Sequence, residues 1–350
     1  MISISKFKIS PLILNKISEI DRFNGNWNGK SETFGKQNLK NLKKVSTIES
    51  IGSSNRIEGN RLSDTDVATV LANLSRKSFR SRDEEEVAGY AKLLNTIYES
   101  FTEIQITENY IKQLHQIMLS RVSKDIHHCG DYKKISNAVA AFDSTGREIG
   151  IVFQTATPFD TPFMMRELVE WVNDALNEGF WHPLIVIAVF IVHFLAIHPF
   201  EDGNGRLSRA LTTLLLLKAG YDYVPYCSLE SIIEANKSNY YLALRSTQKS
   251  IWTDDVDYEP WLSFFFAMLQ KQTKVLTERI ELSKNKNVLS KNSQAIFSLF
   301  EKQPQWTMQE ILQAVSMNSE TVRKIVQNLC KQRYIVKFGT TKSAFYRKMD

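Results

Sequence analysis

The sequence predicts a mainly α-helical protein with one small β-hairpin near its middle and a second hairpin near its C-terminus. Most segments repeat apolar residues at helical spacing, which predicts helices along nearly the whole chain. Residues 135–157 and 335–348 instead alternate apolar and polar residues around turn residues, which predicts the two hairpins. With 350 residues and 43% hydrophobic content, the chain is long enough to form two or three domains.

Apolar periodicity and end signals place the helices of the first two thirds of the chain. Gly59 and Asn60 end a helix that starts at Thr47, and Ser63 is the N-cap of the next helix, whose first turn is acidic. The apolar run Pro183–Ile197 is fifteen residues long, which is too short for a membrane span and typical of a buried helix. The other periodic segments are Arg82–Ser100, Glu108–Ser120 and Phe163–Asn177.

The first hairpin is predicted from the runs ISNAVAAF and REIGIVFQ, which flank the turn residues of Asp143–Gly146. Pro158 and Pro162 end this segment before the next helix begins.

The C-terminal part begins after the polar, lysine-rich segment Lys271–Lys291, in which we place a domain boundary. Thr307 and Glu310 form a capping box at the second of three predicted helices. The runs IVKFG and SAFYRK, around Gly339–Thr341, then read as two short strands. Three helices and a hairpin in about 65 residues predict a winged helix-turn-helix domain. The three helices are Ser293–Phe300, Met308–Val315 and Glu320–Arg333.

Basic residues are concentrated in that C-terminal part. Lys286–Asp350 holds 11 Lys and Arg against 4 Asp and Glu, a net charge of +7, whereas the other 285 residues hold 33 against 34. A nucleic acid or an acidic partner is therefore expected there alone.

The three cysteines are odd in number and widely spaced, which excludes a disulfide framework and a zinc site built from CxxC pairs. The N-terminus lacks the apolar core and cleavage site of a signal peptide. We therefore expect a soluble, cytoplasmic protein without a membrane segment. The pair His127 and His128 supplies no closed metal-ligand set and is expected in a surface loop, and the histidines in apolar helical contexts are expected to be structural. The latter are His115, His182 and His193.

The segment His198–Arg209 reads HPFEDGNGRLSR and lies between two strongly apolar segments. Pro199 ends the preceding helix, and Gly203 and Gly205 allow backbone N–H groups to turn toward one point. The N-terminus of the following helix adds its positive dipole, so the loop is predicted to bind an anion such as a phosphate.

Three kinds of side chain complete this predicted site. Asp202 offers an oxygen ligand suited to Mg²⁺ beside phosphates, and Arg206 and Arg209 lie on one helix face, where they can bind phosphate oxygens. His198 is placed to take a proton from a hydroxyl, a role worth about 10²–10⁴-fold in rate. A plain turn or a structural His-Pro pair would explain parts of this stretch, but the combination predicts a catalytic site.

The stretch matches the active-site motif HxFx[D/E]GNGRxxR of the Fic family at every specified position, and the resemblance covers roughly Thr47–Leu269. The resemblance implies a Fic-type helical core with a hairpin flap. It also implies an enzyme that transfers AMP from ATP to a Ser, Thr or Tyr hydroxyl of a target protein and releases pyrophosphate. It implies that His198 is the general base and that Asp202 holds Mg²⁺. Arg206 and Arg209 would contact the β- and γ-phosphates.

The resemblance also suggests residues that surround the nucleotide and the target. The hairpin would hold the target segment by strand addition, although a plain structural hairpin explains the same pattern. Tyr240 and Tyr241 resemble tyrosines that border the base, and an aromatic pair on a helix also suits a core. Gln248 stands where some relatives carry Asn, and Lys133 stands where the family's GxYR stretch carries Arg. The expected nucleotide-binding residues are Ile151, Val152, Phe153, Gln154, Asp202, Gly203, Asn204, Gly205, Arg206, Leu207, Ser208, Arg209, Tyr240 and Gln248.

An inhibitory segment is suggested by Ser54–Gly59, which reads SNRIEG and fits the Fic family's inhibitory pattern [S/T]xxxE[G/N]. Glu58 is expected to pair with Arg209 and so to occupy the guanidinium that the γ-phosphate needs. A solvated Glu before a helix-ending glycine is the ordinary alternative. The expected inhibitory residues are Ser54, Glu58 and Gly59.

The predicted organisation has four parts: an N-terminal helical region with the inhibitory helix at 1–104, the Fic catalytic core at 105–275, a linker at 276–288 and the winged-helix domain at 289–350. The winged helix is expected to contact either DNA or a protein through its third helix. Its candidate DNA-contacting residues are Thr321, Arg323, Lys324 and Gln327.

The sequence therefore predicts an autoinhibited protein adenylyltransferase that acts on a target protein and on itself. The competing hypothesis is a DNA-binding transcriptional regulator whose Fic core senses nucleotide without transferring it. The intact His198 favours the enzyme, and Gly205 argues against a kinase-like branch of the family that departs from the motif there. The target protein, the activating signal and the oligomeric state, a homodimer included, stay open.

Overall fold

The computed structural model describes residues 9–74, 79–122, 124–125, 127–142, 148–286, 290–301, 303–331, 334–339 and 344–348. The side chains of residues 28, 30, 33, 138–142, 148–152 and 284–286 are outside this description. The chain divides into two compact units, one up to Thr277 and one from Glu278 onward.

Six helices form the N-terminal half of the first unit in the part of the chain that is described. They are α1 (Pro11–Gly25), α2 (Trp27–Phe34), α3 (Lys36–Ile57), α4 (Asp64–Leu71), α5 (Arg82–Ser100) and α6 (Glu108–Leu119). The bounds of α5 agree with the sequence prediction. Ser63 is the N-cap of α4, as predicted, and it forms a capping box with Asp66. α3 starts eleven residues before the predicted Thr47.

α1 and α2 were not predicted from the sequence. Ser10 caps α1 by accepting a hydrogen bond from the backbone N–H of Ile13, and Pro11 occupies the first helical position. Ile13, Ile17 and Ile20 then lie on one face and are buried. The helical signal of α1 is thus present in the sequence, but it is short and flanked by polar residues.

The hairpin predicted from the sequence is present. It comprises β1 (Ala138–Phe142) and β2 (Glu148–Gln154), which pair antiparallel. The predicted turn residues Asp143–Gly146 lie outside the described residues. The helices that follow the hairpin are α7 (Thr161–Glu178), α8 (Pro183–Ile197), α9 (Asn204–Lys218), α10 (Leu229–Glu234), α11 (Lys237–Gln248) and α12 (Glu259–Lys286). The last of these, α12, starts in the first unit and extends past its end at Thr277.

α8 lies at the centre of the first unit. From Leu184 to Ile197 all of its residues are buried, which explains why its sequence is apolar on every side. α7 and α9 pack against it, and α3, α5 and α6 pack against α9. The loop between α8 and α9 is therefore held by two helices that the rest of the unit surrounds.

The predicted linker 276–288 is helical as far as Lys286, because α12 continues through it. The second unit then contains α13 (Lys291–Phe297), β3 (Gln305–Thr307), α14 (Met308–Ala314), α15 (Ser319–Lys331), β4 (Ile335–Phe338) and β5 (Phe345–Lys348). α13 ends three residues before the predicted Phe300, and a 3₁₀ turn, Ser298–Glu301, follows it.

The strands of the second unit form a three-stranded antiparallel sheet in the order β3–β5–β4. β3, which was not predicted from the sequence, is only three residues long. The helices and the sheet share one apolar core that includes Ile296, Ile311, Val322 and Val326. The predicted capping box of Thr307 and Glu310 is present at α14.

Among the described residues, no helix combines the length and the apolar character that crossing a membrane requires.

The packing of α5 on α6 leads to a test of the fold. A Cβ atom added at Gly89 in α5 would overlap the carbonyl oxygen of Met118 in α6, whereas one added at Gly25 would meet open space. We expect Gly89→Ala to destabilise the first unit by about 1–3 kcal/mol, since backbone must move to make room. Gly25→Ala should leave the thermal unfolding temperature unchanged or slightly raised; equal temperatures for the two variants would contradict the packing.

Candidate active site

The candidate site begins at His198, which ends α8 in the left-handed region with φ 53° and ψ 60°. Among the described residues it is the one non-glycine residue with positive φ. Its backbone N–H donates to the carbonyl of Phe194 at 2.9 Å, so it closes the helix as a left-handed cap. Such a backbone costs of the order of 1–3 kcal/mol and persists only where the surroundings enforce it. The surroundings here are α8 and the loop it leads into.

Among the described residues, the imidazole of His198 has a hydrogen-bond partner at one nitrogen, Nδ1. Nδ1 lies 3.2 Å from the carbonyl oxygen of Leu195, so Nδ1 carries the proton in the neutral ring and Nε2 keeps its lone pair. Burial lowers the pKa of His198, and this effect exceeds the opposing influence of the Leu195 carbonyl, Glu58 and Asp202. The ring is thus held neutral, which is the form that a general base requires.

Two side chains fix the loop between α8 and α9. The Asn204 amide donates to the carbonyl of Phe200 at 2.7 Å and accepts its N–H at 2.9 Å. His115 stacks on the Phe200 ring with centroids 3.8 Å apart, accepts the N–H of Gly130 at Nδ1 and donates from Nε2 to the carbonyl of Asp202. Burial lowers the pKa of His115 to about 4, so it stays neutral. The predicted structural character of His115 agrees with these contacts.

Asp202 is bound by two arginines. Its Oδ2 lies 2.8 Å from Nη2 of Arg206 and 3.4 Å from Nη2 of Arg82. Burial alone would raise the pKa of the Asp202 carboxyl, but Arg206 and the N–H of Gly203 outweigh it and lower that pKa. The carboxylate is 39% exposed, so it is charged and reachable.

Arg206 and Arg209 engage different partners, although their spacing predicted one shared face. Arg206 binds Asp202 and lies 3.4 Å from Glu86, and its buried Nε has no hydrogen-bond partner among the described residues. Arg209 instead turns toward the end of α3, and its buried Nη1 makes no hydrogen bond with a described residue. Among the described residues, buried nitrogens without a hydrogen-bond partner thus remain on both guanidinium groups, Nε and Nη1 on Arg206 and Nη1 on Arg209, and an added anion could satisfy them.

The expected pair of Glu58 and Arg209 is formed. Glu58 Oε1 accepts from Arg209 Nη2 at 2.8 Å. Ser54, one turn earlier, accepts twice from the same guanidinium, at its hydroxyl (2.9 Å) and at its carbonyl (2.8 Å). Gly59 then leaves the helix with φ 98°. A Cβ atom at Gly205 would overlap the Glu58 carboxylate, so that carboxylate lies directly over the glycine turn.

The remaining predicted residues divide between the loop and its surroundings. Leu207 is fully buried, and the Ser208 hydroxyl donates to the carbonyl of Gly205 at 2.8 Å, so both side chains support the turn from within. Tyr240 is buried beside Trp261, interacts with the Arg209 and Ser208 side chains, and has a pKa raised by burial.

Gln248 is buried at the end of α11. In the hairpin, the Phe153 ring stacks on Trp252 with centroids 6.3 Å apart, and Gln154 is exposed. The side chains of Ile151 and Val152 lie outside the described residues.

Lys133 ties the hairpin to the loop, a role that the sequence did not reveal. Its buried ammonium donates to the carbonyl of Ile197 (2.9 Å), the Asn137 side chain (2.8 Å) and the Thr155 hydroxyl (3.0 Å). Its backbone N–H donates to the carbonyl of Pro199 at 2.8 Å. The only sequence signal was the position of Lys133 in a GxYR-like stretch.

No group of three or more His, Cys, Asp or Glu side chains that could hold a metal ion is present among the described residues. His128 instead pairs with Asp125 at 3.3 Å.

Comparisons with known proteins place this site in context. Residues 105–216 match the family model described as Fic/DOC family. The chain is 27% identical over 235 residues to curated proteins named "Protein adenylyltransferase Fic" from Drosophila grimshawi and Drosophila melanogaster. That match covers 67% of this chain but 43% and 42% of these relatives, so the chain spans less than half of their length.

Solved structures show the same fold. A Fic family protein from Desulfovibrio desulfuricans G20 matches with a TM-score of 0.62 and 21% identity, covering 98% of this chain and 97% of that one. A Fic domain containing signaling protein from Bacteroides thetaiotaomicron matches with a TM-score of 0.61 and 25% identity, covering 75% of this chain and 97% of that one.

The contacts of Lys133 give a prediction on pH. Burial lowers the pKa of Lys133 from 10.5 to about 8. Between these values the unfolded chain binds more protons than the folded one, so the stability of the wild type relative to Lys133→Met should rise as the pH increases from 8 toward 10. Thermal unfolding at pH 7 and pH 9.5 measures this difference. The exposed neighbour, tested as Lys134→Met, should show no such trend, and a trend of the opposite sign for Lys133→Met would contradict the assignment.

Proposed function

Starting from the Fic/DOC family domain at residues 105–216, we propose that the chain is an autoinhibited protein adenylyltransferase. It transfers AMP from ATP to a Ser, Thr or Tyr hydroxyl of a target protein, and to itself, and releases pyrophosphate. The observation that carries this proposal is the contact of Glu58 with Arg209 directly over Gly205, in the loop that His198 begins. The adenylyltransferase names of the curated relatives support the choice of reaction.

His198 acts as the general base in this proposal. Its Nε2 takes the proton of the acceptor hydroxyl while the hydroxyl oxygen attacks the α-phosphorus of ATP. The bond from that phosphorus to the bridging oxygen breaks, and pyrophosphate leaves. The neutral ring and the fixed Nδ1 proton suit His198 to this step. Positioning and charge stabilisation provide most of the remaining rate enhancement in reactions of this class.

The nucleotide is bound by the turn and the two arginines. The N–H groups of Gly203–Gly205 and the N-terminus of α9 favour phosphate oxygens, and the unsatisfied donors on Arg206 and Arg209 fit the same charge. Tyr240, Gln248 and hairpin residues 151–154 border the nucleoside. Leu207 and Ser208 contribute by holding the turn.

Asp202 is the residue that would hold Mg²⁺. Mg²⁺ binds readily to one or two carboxylates together with substrate phosphates and water, and Asp202 is charged and exposed enough for this. The ion would neutralise charge on the phosphates.

Autoinhibition follows from the position of Arg209. Its guanidinium already donates to Ser54 and Glu58, and the Glu58 carboxylate adds a negative charge where the γ-phosphate would lie. ATP then binds with its α-phosphate out of line with the attacking hydroxyl.

The first test removes the inhibitory carboxylate. Glu58→Gly should increase self-labelling from α-³²P-ATP by about 10²-fold, since relief of a misalignment of 1 Å can change a rate by this much. Glu58→Gln, which keeps the shape but loses the charge, should activate less. Arg209→Ala should not activate, because it also removes the γ-phosphate ligand. Equal labelling of wild type and Glu58→Gly would mean that Ser54–Gly59 ends a helix and does not inhibit the reaction.

The second test identifies the transferred group in the Glu58→Gly background. Label should appear from α-³²P-ATP and not from γ-³²P-ATP, because AMP is transferred. His198→Ala should abolish labelling and leave ATP binding intact, since the base acts on the hydroxyl. His127→Ala, which changes an exposed histidine of no proposed role, serves as the control. Label from the γ-phosphate alone would indicate kinase chemistry instead.

For the second unit we propose a winged helix-turn-helix that binds DNA through α15. Its core residues Val322 and Val326 are buried, whereas the candidate contact residues on the same helix are all exposed. These are Thr321, Arg323, Lys324 and Gln327. The net charge of +7 over residues 286–350 supports an acidic partner.

DNA binding by α15 can be tested with matched charge variants in the full chain. Arg323→Ala should weaken binding and lower the slope of log affinity against log salt by about 1, because one phosphate contact is lost. Lys291→Ala, at an exposed position on α13, should change neither. Gel shifts at several salt concentrations measure both, and equal behaviour of the two variants would exclude α15 as the contact helix.

The alternative of a nucleotide-sensing regulator without transfer is not favoured. A sensor has no use for a base, yet His198 is held in a costly backbone conformation with Nε2 free.

A further inference from the structure

A cavity of about 780 Å³ lies beside the hairpin in the first unit. Its walls are the end of β2, the start of α7, the last turns of α8 and the segment after α11. None of the motif residues Asp202–Arg209 lines it, and among the described residues proposed to bind the nucleotide only Gln154 does. Its volume lies in the range of ligand-binding pockets, about 300–1,000 Å³.

The cavity is acidic. Asp160, Glu167 and Asp254 line it, and its described lining contains neither Lys nor Arg. His193 at its floor binds the hydroxyl of Tyr258 at 2.8 Å, and burial lowers the pKa of His193 to about 3, so it adds no positive charge. Three carboxylates in a concave surface attract a cation more strongly than the same charges on a flat surface.

The rest of the lining suits the stem of a long side chain. Ile197, Ile251 and Val256 supply apolar surface, and Trp252 is 45% exposed at the wall nearest Phe153. Lysine and arginine bury their aliphatic stems on apolar surfaces, and their cations are attracted by the face of an indole. The combination therefore matches a basic side chain better than a small polar ligand.

The cavity is joined to the catalytic loop by short covalent and hydrogen-bonded connections. Ile197 in its wall directly precedes His198, and Lys133 binds both the carbonyl of Ile197 and the hydroxyl of Thr155 in the opposite wall. In the described sheet β2 pairs with β1 alone, so its other edge can accept an extended segment. Because Gln154 at the end of β2 and Ile197 next to His198 both line the cavity, a segment added along β2 toward His198 would pass the cavity.

We propose that this cavity binds an arginine or lysine side chain of the target polypeptide, next to the acceptor residue, and thereby selects basic target segments. The inference rests on the proposed protein adenylyltransferase function and adds the class of target that the site prefers.

Binding can be tested without ATP and without knowledge of the natural target. The probes are three fluorescein-labelled peptides in which valine alternates with a test residue around a central threonine; the test residue is arginine, its neutral analogue citrulline, or glutamate. Fluorescence polarisation with the full chain should give about tenfold tighter binding of the arginine peptide than of the citrulline peptide at low salt. The glutamate peptide should bind more weakly still. Equal binding of the arginine and citrulline peptides would overturn the proposal.

Two triple variants separate the cavity from the general charge of the protein. Asp160→Asn, Glu167→Gln and Asp254→Asn together should reduce binding of the arginine peptide to the level of the citrulline peptide. Glu170→Gln, Asp174→Asn and Asp222→Asn change the net charge equally at exposed positions outside the cavity, and should leave the preference intact. A preference that both triple variants lose, or that both keep, would overturn the assignment to this cavity.

Transfer is measured separately, with the same peptides and α-³²P-ATP in the Glu58→Gly background. The arginine peptide should be labelled most. Selective binding without any labelling would refute the adenylyltransferase proposal while upholding the cavity as a site for basic segments. Labelling of all three peptides to the same extent would refute the cavity proposal and uphold the reaction.

Discussion

The guanidinium of Arg209 is buried inside the first unit and therefore needs an anionic partner. It is 4% exposed, and a cation left unpaired at such a position costs about 3–5 kcal/mol, less where the lost partner was itself partly exposed to water. Burial alone would lower the pKa of Arg209, but the Glu58 carboxylate raises it. In the proposed function the same guanidinium also serves the γ-phosphate of ATP, so Glu58 and that phosphate would compete for it. The other residues of the site fix the loop beside which this competition would take place.

The helix and loop beside Arg209 are held by packing and hydrogen bonds, so the proposed competition is confined to the Glu58 side chain. α8 is buried from Leu184 to its end, so it cannot shift without disturbing the packed core on all sides. The loop after it is held by the Asn204 amide and the His115 ring, and Lys133 fixes the start of the loop to the hairpin base. None of these contacts involves Arg209 or Glu58. The Glu58 side chain, at 36% exposure, has more freedom than any of these groups.

The sequence predicted the features that local chemistry determines. The glycine turn, its histidine, its carboxylate and its arginines are contiguous here, so His198–Arg209 could be recognised as one unit, and the short pattern at Ser54–Glu58 pointed to its partner across 151 positions. The contacts of Lys133 could not be predicted, because no spacing relates residue 133 to residue 197. Arg206 and Arg209 are three residues apart on α9, yet their guanidinium groups bind different carboxylates, Asp202 and Glu58. The helix α1 escaped prediction because tertiary packing, more than propensity, stabilises it.

The anchoring of α3 indicates which part of Ser54–Gly59 would have to move in the proposed release of inhibition. The Ser50 hydroxyl donates to Glu230, a buried carboxylate, at 2.8 Å, and Arg56 binds both oxygens of Glu234, at 2.7 and 2.9 Å. Displacing the helix would break these contacts and expose its buried face. Turning the Glu58 side chain away from Arg209 breaks one ion pair and leaves α3 in place, and rotations of partly exposed side chains are fast. In the proposed mechanism the inhibited and competent states therefore differ by the placement of one carboxylate, with the helix as its fixed support. A partner that draws this carboxylate aside would then need to supply only the free energy of that single ion pair.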